Sequence, residues 1–395
     1  MSDLPVIPFE RLDPLDVPAA YRELRHRDRV AKVRTHAGDE VWMVSGYEDL
    51  RTLFLDDRFG RSHPQPEQAA RVSGSALIGG PTGDYDTEKA DHERMRKLFV
   101  RSFSARRRKA LSEHVGQLVD HYLDQLAAKS PPADLHREFS FPLPVYVICE
   151  LLGVPYEDRE YFSAVSNRMG GLDQAAGQAA REEMGAYTAG LIDAKRRDPG
   201  EDVLSDLAGV LDDDGMIAQL AGGLLFAGHE TTVNRIDYGV LLLLHYPDQL
   251  AQLRADPALA PLAVEELLRM GAPGLHGIPR YAKEDVEFGG VTIRAGEAVL
   301  FQINAANRDE TTFEHPDVFD LHRNRDNPHL TFGHGGHFCI GANLARVELT
   351  AVFERIFQRL PDLELAVPFE ELRPVRDRVT GGLRELPVRW RSAPR

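Results

Sequence analysis

The segment DDDGMIAQLAGGLLFAGHETTVNRIDYGVLLLLHYP, residues 212–247, restricts the fold more than any other part of the sequence. Aspartates open it and Pro247 ends it, which predicts a single helix of about thirty residues, about 45 Å long. It is apolar on nearly every side, so we expect it to lie buried in the centre of the molecule. Its interior nevertheless holds residues that suit a buried helix poorly, and such conflicts mark functional sites. These residues are Gly222, Gly223, Gly228, His229, Glu230 and Thr231.

Helical periodicity dominates the rest of the chain as well. The pattern predicts helices over about 17–27, 47–55, 91–101, 105–128, 143–152, 157–168, 175–196 and 260–270, and another that ends near 360. A hairpin is expected around Ala37-Gly38-Asp39, short strands over 280–301, and a long loop over 59–90. No shift in composition separates independent units. We therefore expect one domain over residues 1–395, mostly α with small β regions.

Composition excludes several classes of protein. The net charge of −15 argues against a general nucleic-acid binder. The sequence begins without a secretory signal pattern, and no apolar run approaches the ~18 residues of a membrane span. The 2 cysteines cannot form a disulfide framework, which is typical of a reducing compartment. These features predict a cytoplasmic protein without a membrane anchor.

One stretch of the chain reverses this negative charge. RMRKLFVRSFSARRRK, from Arg94 to Lys109, holds eight basic residues and no acidic one. A solvated helix face is the usual explanation of such a run. A docking surface for an acidic partner is the functional alternative.

The loop FGHGGHFCIGANLAR, residues 332–346, places Cys339 directly before an amphipathic run. A zinc site would need more ligands at metal spacing, and a nucleophilic cysteine would need a histidine base and an orienting residue. A thiolate bound to haem iron explains the surroundings better. The start of a helix favours an anion and is expected to lower the thiol pKa. Glycines 333, 335, 336 and 341 let the backbone approach a flat macrocycle, whereas Cys149 is interpreted as a core residue.

These residues resemble the cytochrome P450 family, in its soluble bacterial form, over nearly the whole chain. The family's ligand loop, Phe-x-x-Gly-x-(His/Arg)-x-Cys-x-Gly, is met by Phe332, Gly335, His337, Cys339 and Gly341. Its central-helix motif, (Ala/Gly)-Gly-x-(Asp/Glu)-Thr, is met by Ala227, Gly228, Glu230 and Thr231, and its Glu-x-x-Arg by Glu266 and Arg269. The chain departs from many relatives at Glu310, where they have proline after Asn-Arg-Asp.

The resemblance implies a haem b between the central helix and the helix after Cys339, with Cys339 as the ligand of the iron. Its propionates would be neutralised by His92, Arg96, Arg280 and His337. Ala227, Phe332, Gly333 and Gly341 complete the expected set of cofactor contacts. Glu266 and Arg269 are expected to form a buried pair that supports the segment before the loop.

The resemblance also implies monooxygenation of a small molecule with O2. Thr231 would be the hydroxyl beside the reacting oxygen, and Glu230 would relay protons from solvent. A threonine within a helix more commonly bonds back to its own carbonyl, which is the structural alternative for Thr231. The basic run would receive a ferredoxin, itself reduced by a ferredoxin reductase, and a monomer is expected.

The substrate is less constrained than the chemistry. Leu275 and His276 are expected near the cofactor, and glycines 79, 80, 274 and 277 suggest a roomy cavity. We expect hydroxylation or epoxidation of a large secondary-metabolite intermediate, such as a polyketide, macrolide or peptide, in antibiotic biosynthesis. Oxidative coupling of aromatic rings and oxidation of a terpene or fatty acid are alternatives. A non-catalytic haem-thiolate sensor and a haem-free cysteine hydrolase are the alternatives from other classes.

Overall fold

The structure, a computed structural model, describes residues 4–75, 78–169 and 171–391. Within these ranges the helices are α1 (Ala19–Arg27), α2 (Tyr47–Phe54), α3 (Glu88–Phe99), α4 (Ala105–Ala127), α5 (Pro142–Leu152), α6 (Arg159–Met169), α7 (Gln174–Arg197), α8 (Val203–Ala208), α9 (Asp214–Gly228), α10 (Glu230–His245), α11 (Pro247–Ala255), α12 (Ala260–Met270), α13 (Ile303–Ala306) and α14 (Ala342–Arg359). A five-residue π turn, His136–Ser140, precedes α5. No helix in the described part of the chain has the length and apolar character needed to cross a membrane.

The strands are short and form three small sheets. They are β1 (Val6–Ile7), β2 (Ala31–Thr35), β3 (Glu40–Val44), β4 (Phe59–Gly60), β5 (Ala133–Asp134), β6 (Ile278–Ala282), β7 (Val286–Phe288), β8 (Val291–Ile293), β9 (Ala298–Phe301), β10 (Glu364–Leu365) and β11 (Pro387–Arg389). The largest sheet has the order β1-β2-β3-β9-β6-β4, and β10-β11-β5 and β7-β8 form the other two. The fold is therefore mostly α with small β regions, as the sequence predicts.

Apart from the single central helix, the predicted helices are all present, and their ends lie within about three residues of the prediction. The hairpin β2–β3 is also confirmed, as are short strands within 280–301. Turns with positive φ at Gly289, Gly290 and Gly296 separate these strands. The prediction missed the short helices α8, α11 and α13. The 59–90 loop is also not wholly irregular, because it contains β4, a short turn at Pro66–Gln68 and the start of α3.

The prediction of one long central helix is wrong at a single residue. Helix α9 ends at Gly228, His229 has φ −89° and ψ −79°, and α10 begins at Glu230. The hydroxyl groups of Thr231 and Thr232 donate to the carbonyls of Ala227 and Gly228, at 2.7 and 3.2 Å. Side chains therefore satisfy backbone acceptors at the break, and such substitution accompanies kinks in helices.

Helix α10 lies in the middle of the largest hydrophobic cluster, which also includes residues of α4, α5, α12 and α14. Its approach to α14 requires a glycine, because a Cβ at Gly239 would lie 2.3 Å from the ring of Phe353. Asp213 caps α9 by accepting from the amide of Met216 at 3.0 Å, which confirms the predicted helix start. The sequence thus correctly placed this region at the centre of the molecule.

Glu266 and Arg269 on α12 form the expected buried pair. Two hydrogen bonds of 2.8 Å join the guanidinium to the carboxylate, and both side chains are 3% exposed. Arg323 adds a third bond to Glu266 at 2.9 Å, and Arg269 donates to the carbonyls of Asn307 and Pro316. Burial acts to raise the pKa of Glu266, but hydrogen bonds from Arg269 and Arg323 hold it below its usual value. The network fixes the irregular chain that leads to the cysteine loop.

Replacing Glu266 tests the importance of this network. We expect Glu266→Ala to lower the free energy of unfolding by about 3–5 kcal/mol, because two buried guanidinium groups lose their partner. Urea denaturation measures the change. The matched control is Glu48→Ala, which removes an i,i+3 pair with Arg51 whose side chains are 68% and 37% exposed. That variant should lose less than about 0.5 kcal/mol, and equal losses in the two variants would contradict the assignment.

Candidate active site

The cysteine loop is a tight backbone structure that ends at the start of α14. The amide of Cys339 donates to the carbonyl of Phe332 at 2.9 Å, and the amide of Phe338 donates to Gly335 at 3.0 Å. Gly335 has φ +69°, and a Cβ there would lie 2.8 Å from the carbonyl oxygen of Phe54. Glycine is therefore required where the loop crosses the end of α2. This geometry presents Cys339 three residues before Ala342, the first residue of α14, close to the helix start as the sequence predicts.

Cys339 is exposed as a residue, although its sulfur is surrounded closely enough by protein atoms to be desolvated. Burial raises its pKa above the usual value, although the amides of Gly341 and Ala342 and the charges of Arg96 and Arg346 act in the opposite direction. The predicted lowering of the thiol pKa is therefore wrong for the protein alone, because desolvation outweighs the helix terminus. A cation bound to the sulfur would itself supply the missing charge.

The rival chemistries for Cys339 find no support in the described residues. No group of three or more His, Cys, Asp or Glu side chains there is arranged to hold a metal ion. Both cysteines are free, and Cys149 is fully buried, as expected of a core residue. Among the described residues no histidine forms a hydrogen bond with the sulfur of Cys339, which leaves a nucleophilic thiol without a base.

The four predicted propionate ligands come together beside the loop. The rings of His92 on α3 and His337 in the loop lie 4.0 Å apart between centroids. Arg96, one turn after His92, donates to the carbonyl of Phe338 at 3.0 Å. Arg280 on β6 acts electrostatically on both histidines. Helix, strand and loop thus contribute to one positively charged group.

Sequence reasoning missed a fifth member of this group, Arg61, which directly follows β4. Burial lowers the pKa of Arg61, and its charge in turn lowers the pKa values of His92, His337 and Arg280. Glu88 accepts from the amide of Arg61 at 2.6 Å, at the point where β4 meets α3. Nothing in the local sequence distinguishes Arg61 from an ordinary surface arginine.

Arg280 is the member of the group that most needs an anion. It is only 7% exposed, and among the described residues its guanidinium has no carboxylate partner, only a 2.8 Å bond to the carbonyl of Pro279. Burial lowers its pKa to about 9, and Arg61 adds to the effect. Burial, together with Arg280, His92 and Arg61, lowers the pKa of His337 to about 3. A buried charge without a partner is costly, so this geometry calls for a carboxylate ligand.

These residues fit a haem with a cysteine ligand. A sulfur close to a helix start suits the iron. A cluster whose permanent positive charges exceed the one charge of Glu88 suits two propionates. The flat macrocycle also needs a surface free of side chains, which Gly333, with φ +72°, and Gly341 provide. Phe332 and Gly333 are partly exposed within the loop.

The central helices present a second open face. Gly223, Ala227 and Thr231 are exposed although the helices around them are largely buried, and their spacing of four residues puts them on one face. Thr231 donates to the carbonyl of Ala227, which is the structural alternative considered for it. Its oxygen still has lone pairs available on an open face, whereas Thr232 is only 5% exposed.

Glu230 lies on another face of α10 and has a partner that the sequence did not reveal. One carboxylate oxygen lies 2.9 Å from the guanidinium of Arg378, and the Glu230 side chain is 6% exposed. The backbone of Arg378 also forms a β-bridge with Gly171, which lies between α6 and α7. The two residues of the ion pair are 148 positions apart, so no local pattern links them.

Two expectations about the cavity are wrong. A Cβ at Gly79, Gly80, Gly274 or Gly277 would lie 2.4 to 2.9 Å from a neighbouring atom, so these glycines permit close packing and do not create space. Leu275 is 4% exposed and packs in the hydrophobic cluster of the large sheet. It is therefore a core residue.

The basic run is only partly a free surface. Arg94 and Lys97 are exposed on α3, and the Arg101 side chain is 80% exposed, 3.3 Å from Asp206. Arg107 is 16% exposed and forms an ion pair with the same aspartate, so it belongs to the packing between α4 and α8. The side chains of Arg106 and Arg108 lie outside the described residues.

Comparison with known proteins identifies relatives of nearly full length. The family model for Cytochrome P450 matches residues 209–367. Pentalenolactone synthase of Streptomyces exfoliatus is 45% identical over 98% of this chain and 100% of its own length. Mycinamicin IV hydroxylase/epoxidase of Micromonospora griseorubida is 40% identical over 97% and 98%. The solved structure of the substrate-free cytochrome P450 PimD, a polyene macrolide antibiotic pimaricin epoxidase, has a TM-score of 0.90 at 40% identity and covers 99% of this chain and 100% of its own.

The family implies a haem cofactor, redox partners and a small-molecule substrate. The loop of Cys339, the group of cations and the full-length relatives agree with one another. The chain belongs to the cytochrome P450 family and is a P450 monooxygenase.

Proposed function

We propose that this chain uses haem b, with Cys339 as its iron ligand, to hydroxylate or epoxidise a bulky secondary-metabolite intermediate. The observation that carries the proposal is Arg280, a buried arginine without a carboxylate partner among the described residues, beside His92 and His337. Arg96 joins the same group to the cysteine loop. Two propionates would compensate this charge and so orient the cofactor over the sulfur.

The protein's part in the reaction is to bind, orient and supply protons. When bound, a thiolate-ligated haem provides the chemistry by which one atom of O2 enters the substrate and the other leaves as water, at the expense of two electrons and two protons. Thr231 lies on the open face of the central helices, where its oxygen lone pairs are free while its proton is bonded to the carbonyl of Ala227. A turn of the hydroxyl away from that carbonyl would present the proton to the open face. Glu230 holds one carboxylate oxygen against Arg378 and keeps the other, Oε2, without a partner among the described residues. That oxygen is the position from which a proton is passed on.

The relatives support a secondary-metabolite substrate. Their names include a pentalenolactone synthase, a mycinamicin IV hydroxylase/epoxidase and an epoxidase of the polyene macrolide pimaricin. A polyketide or macrolide skeleton is therefore the substrate class that we propose to screen first. Phe226 and Ala227 lie on the open side of α9 and are partly or fully exposed, so they are candidates to contact it.

For the electron donor we propose a ferredoxin, served by a ferredoxin reductase, that docks on a monomer of this chain. Arg94, Lys97 and Arg101 are exposed on or just after α3, the helix that also carries Arg96. A positive patch on a protein of net charge −15 would attract and orient an acidic partner.

The cytoplasmic location remains the prediction made from the cysteine content.

The absorption spectrum tests the cofactor assignment directly. The purified protein, reduced and exposed to carbon monoxide, should show the red-shifted Soret band of a thiolate-ligated haem. Cys339→Ala should lose this band, because no other residue supplies the sulfur. Cys149→Ala is the matched control and should keep it. A Cys339→Ala protein with an unchanged band would refute the assignment.

A second prediction concerns proton supply. Thr231→Ala should bind substrate with an unchanged spin-state shift, yet divert most of the electrons into hydrogen peroxide, because the open face then lacks its hydroxyl. The measurement is product formed and peroxide formed per NADPH consumed. Thr232→Ala removes the neighbouring, buried hydroxyl and should stay coupled. Equal coupling in the Thr231→Ala and wild-type proteins would remove Thr231 from the mechanism.

A third prediction concerns the docking surface. Arg94→Glu combined with Lys97→Glu should slow reduction by the ferredoxin by about tenfold at low salt and weaken its salt dependence, because steering by charge is lost. Stopped-flow reduction under carbon monoxide measures the rate. The control is Arg197→Glu, an equally exposed change at the end of α7. Rates that keep their size and salt dependence in the double variant would exclude this surface.

A further inference from the structure

Helix α10 carries a polar stripe inside the hydrophobic core. Glu230, Asn234 and Asp237 are 5%, 3% and 0% exposed, and their spacing of four and three residues places them on one face of the helix. Buried polar groups of this kind persist when they are satisfied or when they serve a function.

Each member of the stripe has a partner outside α10. Arg378 holds Glu230 at 2.9 Å. Asn234 donates to the carbonyl of Thr380 at 3.3 Å. The Nδ1 atom of His136 lies 2.6 Å from Oδ2 of Asp237. The π turn that begins at His136 and the segment that contains residues 378–380 therefore cover the stripe.

Several polar atoms on the stripe and on the residues around it lack a partner. Among the described residues, Oε2 of Glu230, Oδ1 of Asp237, Oγ1 of Thr380 and both ring nitrogens of His229 are buried without a hydrogen bond. His229 is 0% exposed, and burial lowers its pKa to about 3, with smaller effects of Arg378 and His136. It is thus neutral near pH 7, with one donor and one acceptor nitrogen. A cluster of unpaired donors and acceptors is the setting in which buried water is bound.

His136 is where the stripe reaches solvent, since its side chain is 20% exposed. The charged groups that act on it are Asp237 on α10, Asp134 on β5 and Arg378. Burial acts to lower the pKa of His136, but the bond to Asp237 and the charge of Asp134 raise it above the usual value, against the effect of Arg378. His136 is therefore able to take up protons from water near neutral pH.

We propose that His136 and Asp237 form a proton inlet, from which water molecules bound along the stripe lead to Glu230. His136, protonated from solvent, gives its Nδ1 proton to Asp237, which passes it to water, and Oε2 of Glu230 accepts it. One proton moves and no electrons are transferred. The ring keeps its Nε2 proton, so a turn that brings Nδ1 to solvent is needed to restore the charge of His136. Seven residues of helix separate Asp237 from Glu230, about 10 Å, a gap that about three hydrogen-bonded waters span, with His229 as a further contact. The inlet rests on the proposed role of Glu230.

Two variants test the inlet in the holoenzyme. His136→Ala removes the residue that takes up the proton, and Asp237→Asn keeps the shape but cannot carry a proton. Both should slow product formation by about 100-fold, the lower end of what a positioned proton-transfer group contributes, and increase its solvent deuterium isotope effect. In the wild type the rate should fall as the pH rises past the pKa of His136, and this dependence should be absent in both variants. The double variant should be no slower than either, because the two residues act in series.

His114→Ala is the matched control, because His114 forms a surface pair with Glu150 at 2.9 Å with side chains 42% and 39% exposed. It should behave as the wild type. The carbon monoxide spectrum and the substrate spin-state shift separate the two proposals, since a protein without the thiolate band refutes the haem assignment. Variants with a normal band and wild-type rate, isotope effect and pH profile would refute the inlet. A crystal structure of the holoenzyme gives a test independent of activity: water must bridge Oδ1 of Asp237 towards Oε2 of Glu230, and a dry stripe would overturn the proposal.

Discussion

The ion-pair network of Glu266, Arg269 and Arg323 is the constraint on which the site depends. The chain between α13 and α14 has no long helix or strand, and its backbone hydrogen bonds to itself are mostly local turns, which do not tie it to the helical core. Arg269 on α12 donates to three carbonyls of this segment, and Glu266 accepts from Arg323 within it. Because these charges are 3 to 11% exposed, neither water nor salt competes effectively for them. Because the segment before the glycine-rich loop is held rigidly, the loop can keep Cys339 at one position before α14.

Low exposure strengthens the ion pairs of Glu266, whereas it makes the charge of Arg280 costly. The buried charges of Glu266 and Arg269 neutralise each other. The buried charge of Arg280 has no carboxylate bonded to it among the described residues, and the nearby charge of Arg61 repels it. Arg269 and Arg280 are both buried, but Arg269 is bonded to the carboxylate of Glu266, whereas only the more distant charge of Glu88 acts on Arg280. A partner supplied from outside the chain restores the balance, and binding that partner stabilises the folded state by mass action. The cofactor is thus part of what makes this region stable.

The helices and the ligand loop were predictable because local signals specify them. Asp213 caps a helix, Gly335 permits a positive φ, and the spacing of Phe332 and Cys339 is contained in one loop. The errors arose where distant chain segments meet. Glycines that suggested space, such as Gly274, instead allow close packing against residues 379–380, and Arg107 is held by Asp206 on α8. Arg61, the like charge beside Arg280, and Arg378, the ion-pair partner of Glu230, leave no trace in local sequence because tertiary packing alone brings these residues together.

The central helices show why a local conflict in the sequence carried functional information. An uninterrupted apolar helix would be the more stable way to fill this core, since every polar atom placed there needs a partner. Instead the chain breaks at His229, turns Thr231 towards an open face, and places Glu230 and Asp237 on a covered one. The threonine hydroxyls satisfy carbonyls at the break, whereas one carboxylate oxygen each of Glu230 and Asp237 on the covered face stays unpaired among the described residues. Packing explains the satisfied groups but not the unpaired ones. A path for protons requires polar atoms that are free to bind water. The covered face keeps such atoms between His136, which reaches solvent, and Glu230, which lies beside the open face.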